Sequence, residues 1–229
     1  MAGIRQQKEA PMRFALSLTT LLALAAPSAW AQDPVKVASS SYTVLAENAR
    51  VRVLRGTLAP GGKAVMHEHP AHVAVSLTNG DVQMRLPDGT TSKVGMKAET
   101  AMLMPAGQHE PANLADSPLE VIVIELKGEP GTAVLPTSRP GMKMTMLLED
   151  PRVMAYRVAF DPAFGEPEGT THDYDQVVIP LGASDTMLSM EGKTMSDWKR
   201  GDVTLIGRGV AHVSKAGTKP ADMIIVAIR

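Results

Sequence analysis

Four of the six histidines in this chain stand at His67, His69, His72 and His109, and the spacing of the first two is what a metal ion asks for. Residues two apart on a β-strand project from the same face, so His67 and His69 present two imidazoles side by side. His109 arrives from another stretch of chain as a third neutral nitrogen donor. Three or four imidazoles suit a divalent transition ion (Fe, Cu, Zn, Ni or Mn), and affinity order alone favours copper. Cysteine is absent, which removes disulfides, thiolate metal sites and thiol nucleophiles. Met142, Met144 and Met146 share one face of an expected strand, a soft arrangement of the kind Cu(I) takes. Methionine is also a flexible core filler, and with 15 in the chain core filling is the preferred reading.

The elements that must position these side chains recur. Sliding the sequence on itself by 102 residues brings Glu47, Arg50, Val51, Arg55 and Pro60 onto Glu149, Arg152, Val153, Arg157 and Pro162. A slide of 103 carries His69 onto His172, His109 onto His212, and the run Val121–Ile124 onto Ile224–Ala227. Within each copy, apolar residues alternate in short runs such as Val51/Val53, Val73/Val75/Leu77, Val82/Met84/Leu86 and Met102/Met104. Turn compositions at Pro60-Gly61-Gly62, Asn79-Gly80-Asp81, Pro87-Asp88-Gly89 and Pro105-Ala106-Gly107 separate them. Short strands at this rhythm predict an antiparallel sandwich or barrel in each copy, and no stretch sustains helical periodicity for three turns. The expected organisation is an extended lead-in over 32–46, a first unit at 47–127, a linker at 128–144 and a second unit at 145–229.

Residues 14–31 carry no charge, follow Lys8 and Arg13, and close on Ala29-Trp30-Ala31, the small-x-small form that signal peptidase reads. The expectation is a leader over 1–31, with Met12 as an alternative start, and a mature chain that is periplasmic or secreted. Arg5 and Arg13 are not adjacent, so the twin-arginine pattern is missing. Formal charge is −1 with 44% hydrophobic residues, which gives no electrostatic footprint for nucleic acid or for a membrane surface once the leader is gone. Homo-oligomers are compatible with this composition.

Gly61-x5-His67-x-His69 followed by Gly80, then Pro105-x-Gly107-x-His109-x3-Asn113, resembles the two motifs of the cupin family. The segment His67 to His72 is similar to small single-barrel cupins. The second copy, at His172-Asp173-Tyr174-Asp175 and Val177 to Leu181, resembles the same group. The resemblance covers about 180 of the 229 residues and implies an all-β chain of two tandem jelly-roll barrels. It implies that His67, His69 and His109 face a barrel interior as metal ligands. A lone histidine is usually just a hydrogen-bonded polar side chain, but three at matching positions point to an ion. The family pattern adds a glutamate ligand; counting residues puts that position at Val73, so this chain departs from the pattern and His72 is the obvious substitute. Asn113 reads either as a support behind His109 or as a turn residue.

The second copy is expected to be degenerate. Thr170 stands opposite His67, only His172 and His212 remain, and Asp175 falls opposite His72 as a candidate third ligand. Little or no metal is expected there. Between Thr43 and Ala155 there is no aromatic side chain, so aromatic stacking on a ligand is not expected in the first barrel. Glu68, Gln108, Glu110 and Arg85 are candidate polar contacts at its mouth. Cupins host many chemistries, so two functions stay open. One is a metal-dependent enzyme of oxygenase, isomerase or lyase type, acting on a small oxygen-rich or anionic molecule. The other is a non-enzymatic metal- or ligand-binding or structural module.

Overall fold

The computed structural model describes residues 32–219 and 221–229; the expected leader over 1–31 lies outside the described residues. A four-residue helix, α1 (Pro34–Val37), precedes β1 (Tyr42–Glu47), β2 (Val51–Leu58), β3 (His67–His69), β4 (His72–Ser76), β5 (Gly80–Arg85), β6 (Thr91–Met96), β7 (Thr100–Met104), β8 (Gly107–Asn113) and β9 (Leu119–Leu126). There follow β10 (Met142–Asp150), β11 (Val153–Phe160), β12 (Asp175–Pro180), β13 (Met187–Met190), β14 (Lys193–Met195), β15 (Thr204–Ile206), β16 (His212–Lys215) and β17 (Ala221–Ile228). The chain is nearly all β, as the alternation predicts. No described helix is long and apolar enough to cross a membrane.

Two five-stranded sheets, ordered β1-β2-β9-β4-β7 and β10-β11-β17-β12-β15, carry the same antiparallel strand order. A smaller sheet accompanies each: β3-β8-β5-β6 in the first half and β14-β13-β16 in the second. Strict alternation divides each large sheet into two working faces. In the first sheet Val51, Val53, Val73, Val75, Ile122 and Ile124 join Val153, Ala155, Val177, Ile179, Ile224 and Val226 of the second sheet in one buried cluster. Their alternate neighbours, among them Leu58, Ala74, Val121 and Val123, line a cavity instead. The second half fills its interior with larger groups: Tyr156, Phe164, Tyr174 and Trp198 belong to its own buried cluster.

Two boundaries differ from expectation. The lead-in is not merely extended: Asp33 caps α1 by accepting from the Val35 amide at 2.9 Å, and β1 pairs with β2 along its length. The span 128–144 is not all linker either, since β10 begins at Met142 and Ala133 and Leu135 are buried against the second half. The methionine stripe splits as the core-filling reading expects for its first members. Met142 and Met144 pack into that same cluster, while Met146 is exposed on the strand.

Candidate metal centre

β3 and β8 pair so that His67 stands directly opposite His109, with His69 two residues along. One ring nitrogen from each of the three lies within 4.8 Å of the others. The rings stand 4.7 Å (His67–His109), 4.9 Å (His67–His69) and 5.3 Å (His69–His109) apart by centroid. His67 and His69 are fully buried. His72, the first residue of β4, is buried with its ring 4.8 Å from His69 and 6.4 Å from His109. It faces the same cavity but stands beside the three-histidine cluster rather than within it.

Three of the four imidazoles are aimed through Nδ1. The Nδ1 of His67 meets the Val65 carbonyl at 2.7 Å, and that of His72 meets the Pro70 carbonyl at 2.9 Å. His69 Nδ1 meets the Glu125 carboxylate at 2.7 Å. An imidazole that donates from Nδ1 keeps its Nε2 lone pair for an ion, and a carboxylate behind it raises its basicity. Glu125 is itself held by Arg52, which reaches on to Asp33 at the cap of α1. Burial raises the Glu125 pKa, but the hydrogen bonds from His69 and Arg52 outweigh it and hold the group below its usual range. Glu125 was not anticipated from the sequence. The available sign was a carboxylate in the run Val121–Leu126, where an unpaired charge is very costly to bury.

Burial, with some repulsion among the rings, pushes His67 and His72 down to about 4 and His109 down to about 3. These three rings are therefore neutral at pH 7, and two of them, His67 and His109, belong to the three-histidine cluster. His67 Nε2 is buried and has no hydrogen-bond partner among the described residues, which is costly unless something fills the site. A divalent transition ion fits this donor set of three convergent imidazoles, two of them fully buried.

The same pKa shifts set the acid stability of the metal-free protein. A histidine whose folded pKa lies below its unfolded value contributes stability above pH 6.5 and loses it as the pH falls through the folded value. Three groups shift this way, whereas His212, raised chiefly by the Glu166 carboxylate beside it, contributes the opposite slope. The denaturant midpoint of the metal-free chain is expected to fall steadily from pH 6.5 towards 4. A flat profile over that window would mean that the cluster is not buried in neutral form.

The cavity next to the cluster encloses about 710 Å³ including its open mouth, with Met84, Met96, Met102, Met104, Val94 and Leu119 among its walls. Tyr42 corrects the expectation of an interior without aromatics. Its ring lies edge-on to His67 at 4.8 Å and His69 at 5.5 Å, and burial raises its pKa well beyond the usual phenol range, so it is a neutral wall. Gly56 makes room for it, since a Cβ there would lie 2.9 Å from Tyr42 Cε1. Arg85 pairs with Glu110 at 2.6 Å, and Gln108 meets Glu68 at 3.4 Å; these four contact one another and are not among the cavity walls. Asn113 supports no histidine: it donates to the carbonyls of Leu58, Ala59 and Ser117 and accepts from the Ala115 amide, stapling the loop after β8.

No family model matches the chain, and no curated protein matches it. Solved structures do. A cupin 2 conserved barrel domain protein from Leptotrichia buccalis is similar at 14% identity, over 82% of this chain and 88% of that one, with a TM-score of 0.56. The salicylate 1,2-dioxygenase from Pseudaminobacter salicylatoxidans aligns at 13% identity over 85% and 78%, TM-score 0.62, and has been seen as adducts with gentisate. AerE from Microcystis aeruginosa aligns at 11% identity over 82% and 97%, TM-score 0.61. The chain has the cupin fold.

Against the cupin motif layout, counting residues puts the glutamate position on the wrong face. Val73 is fully buried between the two large sheets, opposite Ile124, whereas its neighbour His72 pairs with Glu125 and faces the cavity. The break at Pro70-Ala71 between β3 and β4 resets the alternation. Asp175 is displaced for a similar reason. In the ladders, Gln176 opposes Ala227 as His72 opposes Glu125, so Asp175 falls one residue out of phase and its side chain turns to the other face. There it accepts from Asn48, Arg50 and the Arg208 amide. Thr170, opposite His212 as His67 is opposite His109, hydrogen-bonds the Pro167 carbonyl at 2.8 Å.

His172 and His212 are instead joined by Glu166, which the sequence reading did not single out. Burial raises the Glu166 pKa, but the two histidines beside it and the hydrogen bonds from Ser214 and Arg139 overcome it and hold the carboxylate far below its usual range.

For the first cluster, Glu125→Gln keeps the shape behind His69 but removes the charge. It is expected to weaken metal affinity by about 10- to 100-fold in a competition titration. Unchanged affinity would mean that Glu125 supports folding alone.

Proposed function

We propose that this chain is an exported protein of two tandem cupin barrels whose first barrel holds one divalent transition ion on His67, His69 and His109. We further propose that it acts as a metal-dependent enzyme on a small molecule with an anionic or oxygen-rich head and an apolar body. The observation that carries the reading is the orphaned His67 Nε2 among three convergent imidazoles at the wall of a methionine- and valine-lined cavity. When bound, the ion would act as a Lewis acid that polarises a coordinated oxygen.

The chain's own residues supply the rest. Glu125, backed by Arg52 and Asp33, fixes the His69 ring and balances part of the added charge. Tyr42 closes one side of the cluster to water, and the methionine walls hold the apolar body. No lysine or arginine lines the cavity, so an anionic head has the ion itself as its counter-charge. Three imidazole ligands add no negative charge, so they leave the full charge of the ion to attract it.

The test loads protein purified from its export compartment with the metal found there by elemental analysis. Salicylate, gentisate and aliphatic hydroxy- and keto-acids are then offered, following oxygen uptake and product mass. Turnover of any of these supports the enzyme. Saturable ligand binding without turnover favours the alternative, a periplasmic ligand-binding module on the same site.

Export rests on the uncharged segment 14–31 and its Ala29-Trp30-Ala31 ending. Cleavage after Ala31 leaves Asp33 in place at the end of the relay to His69. Intact-mass measurement on exported protein is expected to give a chain starting at Gln32; retention of residues 12–31 would make the segment an anchor.

A further inference from the structure

The two large sheets can be aligned through their ladders, and the supports of the first cluster have no counterparts in the second. Where Arg52 and Glu125 stand behind the first cluster and His72 beside it, the matching ladder positions are Met154, Ala227 and Gln176. A carboxylate has nevertheless entered the second interior from elsewhere. The Glu166 amide bonds the Ser214 carbonyl as the Ala64 amide bonds that of Pro111, so Glu166 stands where the first half has Ala64.

Its two oxygens lie 3.7 Å from His172 Nε2 and 3.5 Å from His212 Nε2. Ligand atoms from all three fall within 4.8 Å of one another. Those separations are too long for good hydrogen bonds, yet two ligands about 2.1 Å from one tetrahedral ion stand about 3.4 Å apart. The surrounding contacts aim the donors inward. Ser214 Oγ donates to one Glu166 oxygen at 2.6 Å, His212 Nδ1 meets the Val210 carbonyl at 3.0 Å, and His172 stacks on Tyr174 at 5.0 Å.

We propose that Glu166, His172 and His212 form a second divalent-metal site, chemically distinct from the first. One carboxylate and two imidazoles suit Mn, Fe, Co or Zn more than copper. They also leave less net positive charge than three imidazoles do, so this site has a weaker call on an anionic ligand. Arg139, from the segment before β10, donates to Glu166 at 2.7 Å with its side chain 42% exposed; it competes with a cation for that carboxylate. The adjoining cavity, about 520 Å³ including its open mouth and walled by Tyr156, Phe160, Phe164 and Trp198, gives the second site more aromatic surroundings than the first, where Tyr42 is the one such wall among the described residues. This replaces the expectation of a nearly metal-free second half, which rested on two histidines and a misplaced Asp175.

The probe is Co2+, counted by elemental analysis after dialysis of the full chain, with its coordination read from visible absorption. His67→Ala disables the first cluster; that variant is expected to keep one Co2+ per chain, and His67→Ala/His172→Ala to keep none. Adding Arg139→Ala to His67→Ala is expected to tighten the remaining site several-fold. Should His67→Ala fail to fold by circular dichroism, the wild-type chain is expected to bind two Co2+, falling to one in His172→Ala. A natively folded His67→Ala chain that binds no Co2+, or Co2+ binding indifferent to His172→Ala in either background, overturns the second site. Neither result bears on the first cluster.

Discussion

His67→Ala and His109→Ala are each expected to strip the ion from the first cluster while circular dichroism remains that of the native protein. Structural zinc sites bind with roughly 10–16 kcal/mol shared among about four ligands, so one lost imidazole costs on the order of 3 kcal/mol, or about two decades in affinity. The measurement belongs in a His172→Ala background, so that the second cluster contributes no ion to the count. His67→Gln serves as the companion variant, because it fills much of the space that alanine would leave beside Tyr42. Full affinity in both His67 variants would take His67 out of the ligand set. It would also leave the buried Nε2 without a physical reason and remove the basis for a metal-dependent activity in this barrel.

That expectation was largely legible in the sequence because it depends on strand parity and motif spacing. His67 and His69 are two apart and His109 arrives on a neighbouring strand, and β3 and β8 realise that arrangement directly. The all-β character followed from the alternation and turn chemistry in the same way. What was not legible depends on single-residue slips between strands. Sliding the sequence by 103 pairs Val121–Ile124 with Ile224–Ala227. The ladders instead match Ile122 with Ile224 and Val123 with Ile225, since Val51 faces Leu126 as Val153 faces Ile228. An insertion before β12 moves that strand the other way.

Each slip exchanges the cavity face for the buried inter-sheet face, and that is why Val73 and Asp175 were assigned to interiors they do not enter. Glu125, Tyr42 and Glu166 escaped for a different reason. Glu125 and Tyr42 reach the histidines from segments distant in sequence, Glu166 enters from the stretch between β11 and β12, and no periodicity marks such a side chain. The relay from His69 through Glu125 and Arg52 to Asp33 spans four segments of chain. Only the fold assembles it.

The face assignment of β4 yields the sharpest contrast between adjacent residues. Val73→Glu would bury a carboxylate between the two large sheets, among Val51, Ile124 and Val177, with no cation at hand. It is expected to destabilise the chain by about 3–5 kcal/mol, the usual cost of an uncompensated buried charge, with no gain in metal affinity. His72→Glu places the same carboxylate on the cavity face beside His69 and supplies a negative donor that three imidazoles lack. It is expected to tighten metal binding while weakening an anionic ligand, because the added charge lowers the attraction of the ion for it. His72→Ala is expected to weaken metal binding less than His67→Ala does, since the His72 ring stands beside the cluster at 6.4 Å from His109. Chemical denaturation and metal competition, run on all three variants, separate the two faces. A stable Val73→Glu chain with tightened metal would place Val73 on the cavity side after all, and unchanged affinity in both His72 variants would leave a three-histidine site with His72 as wall alone.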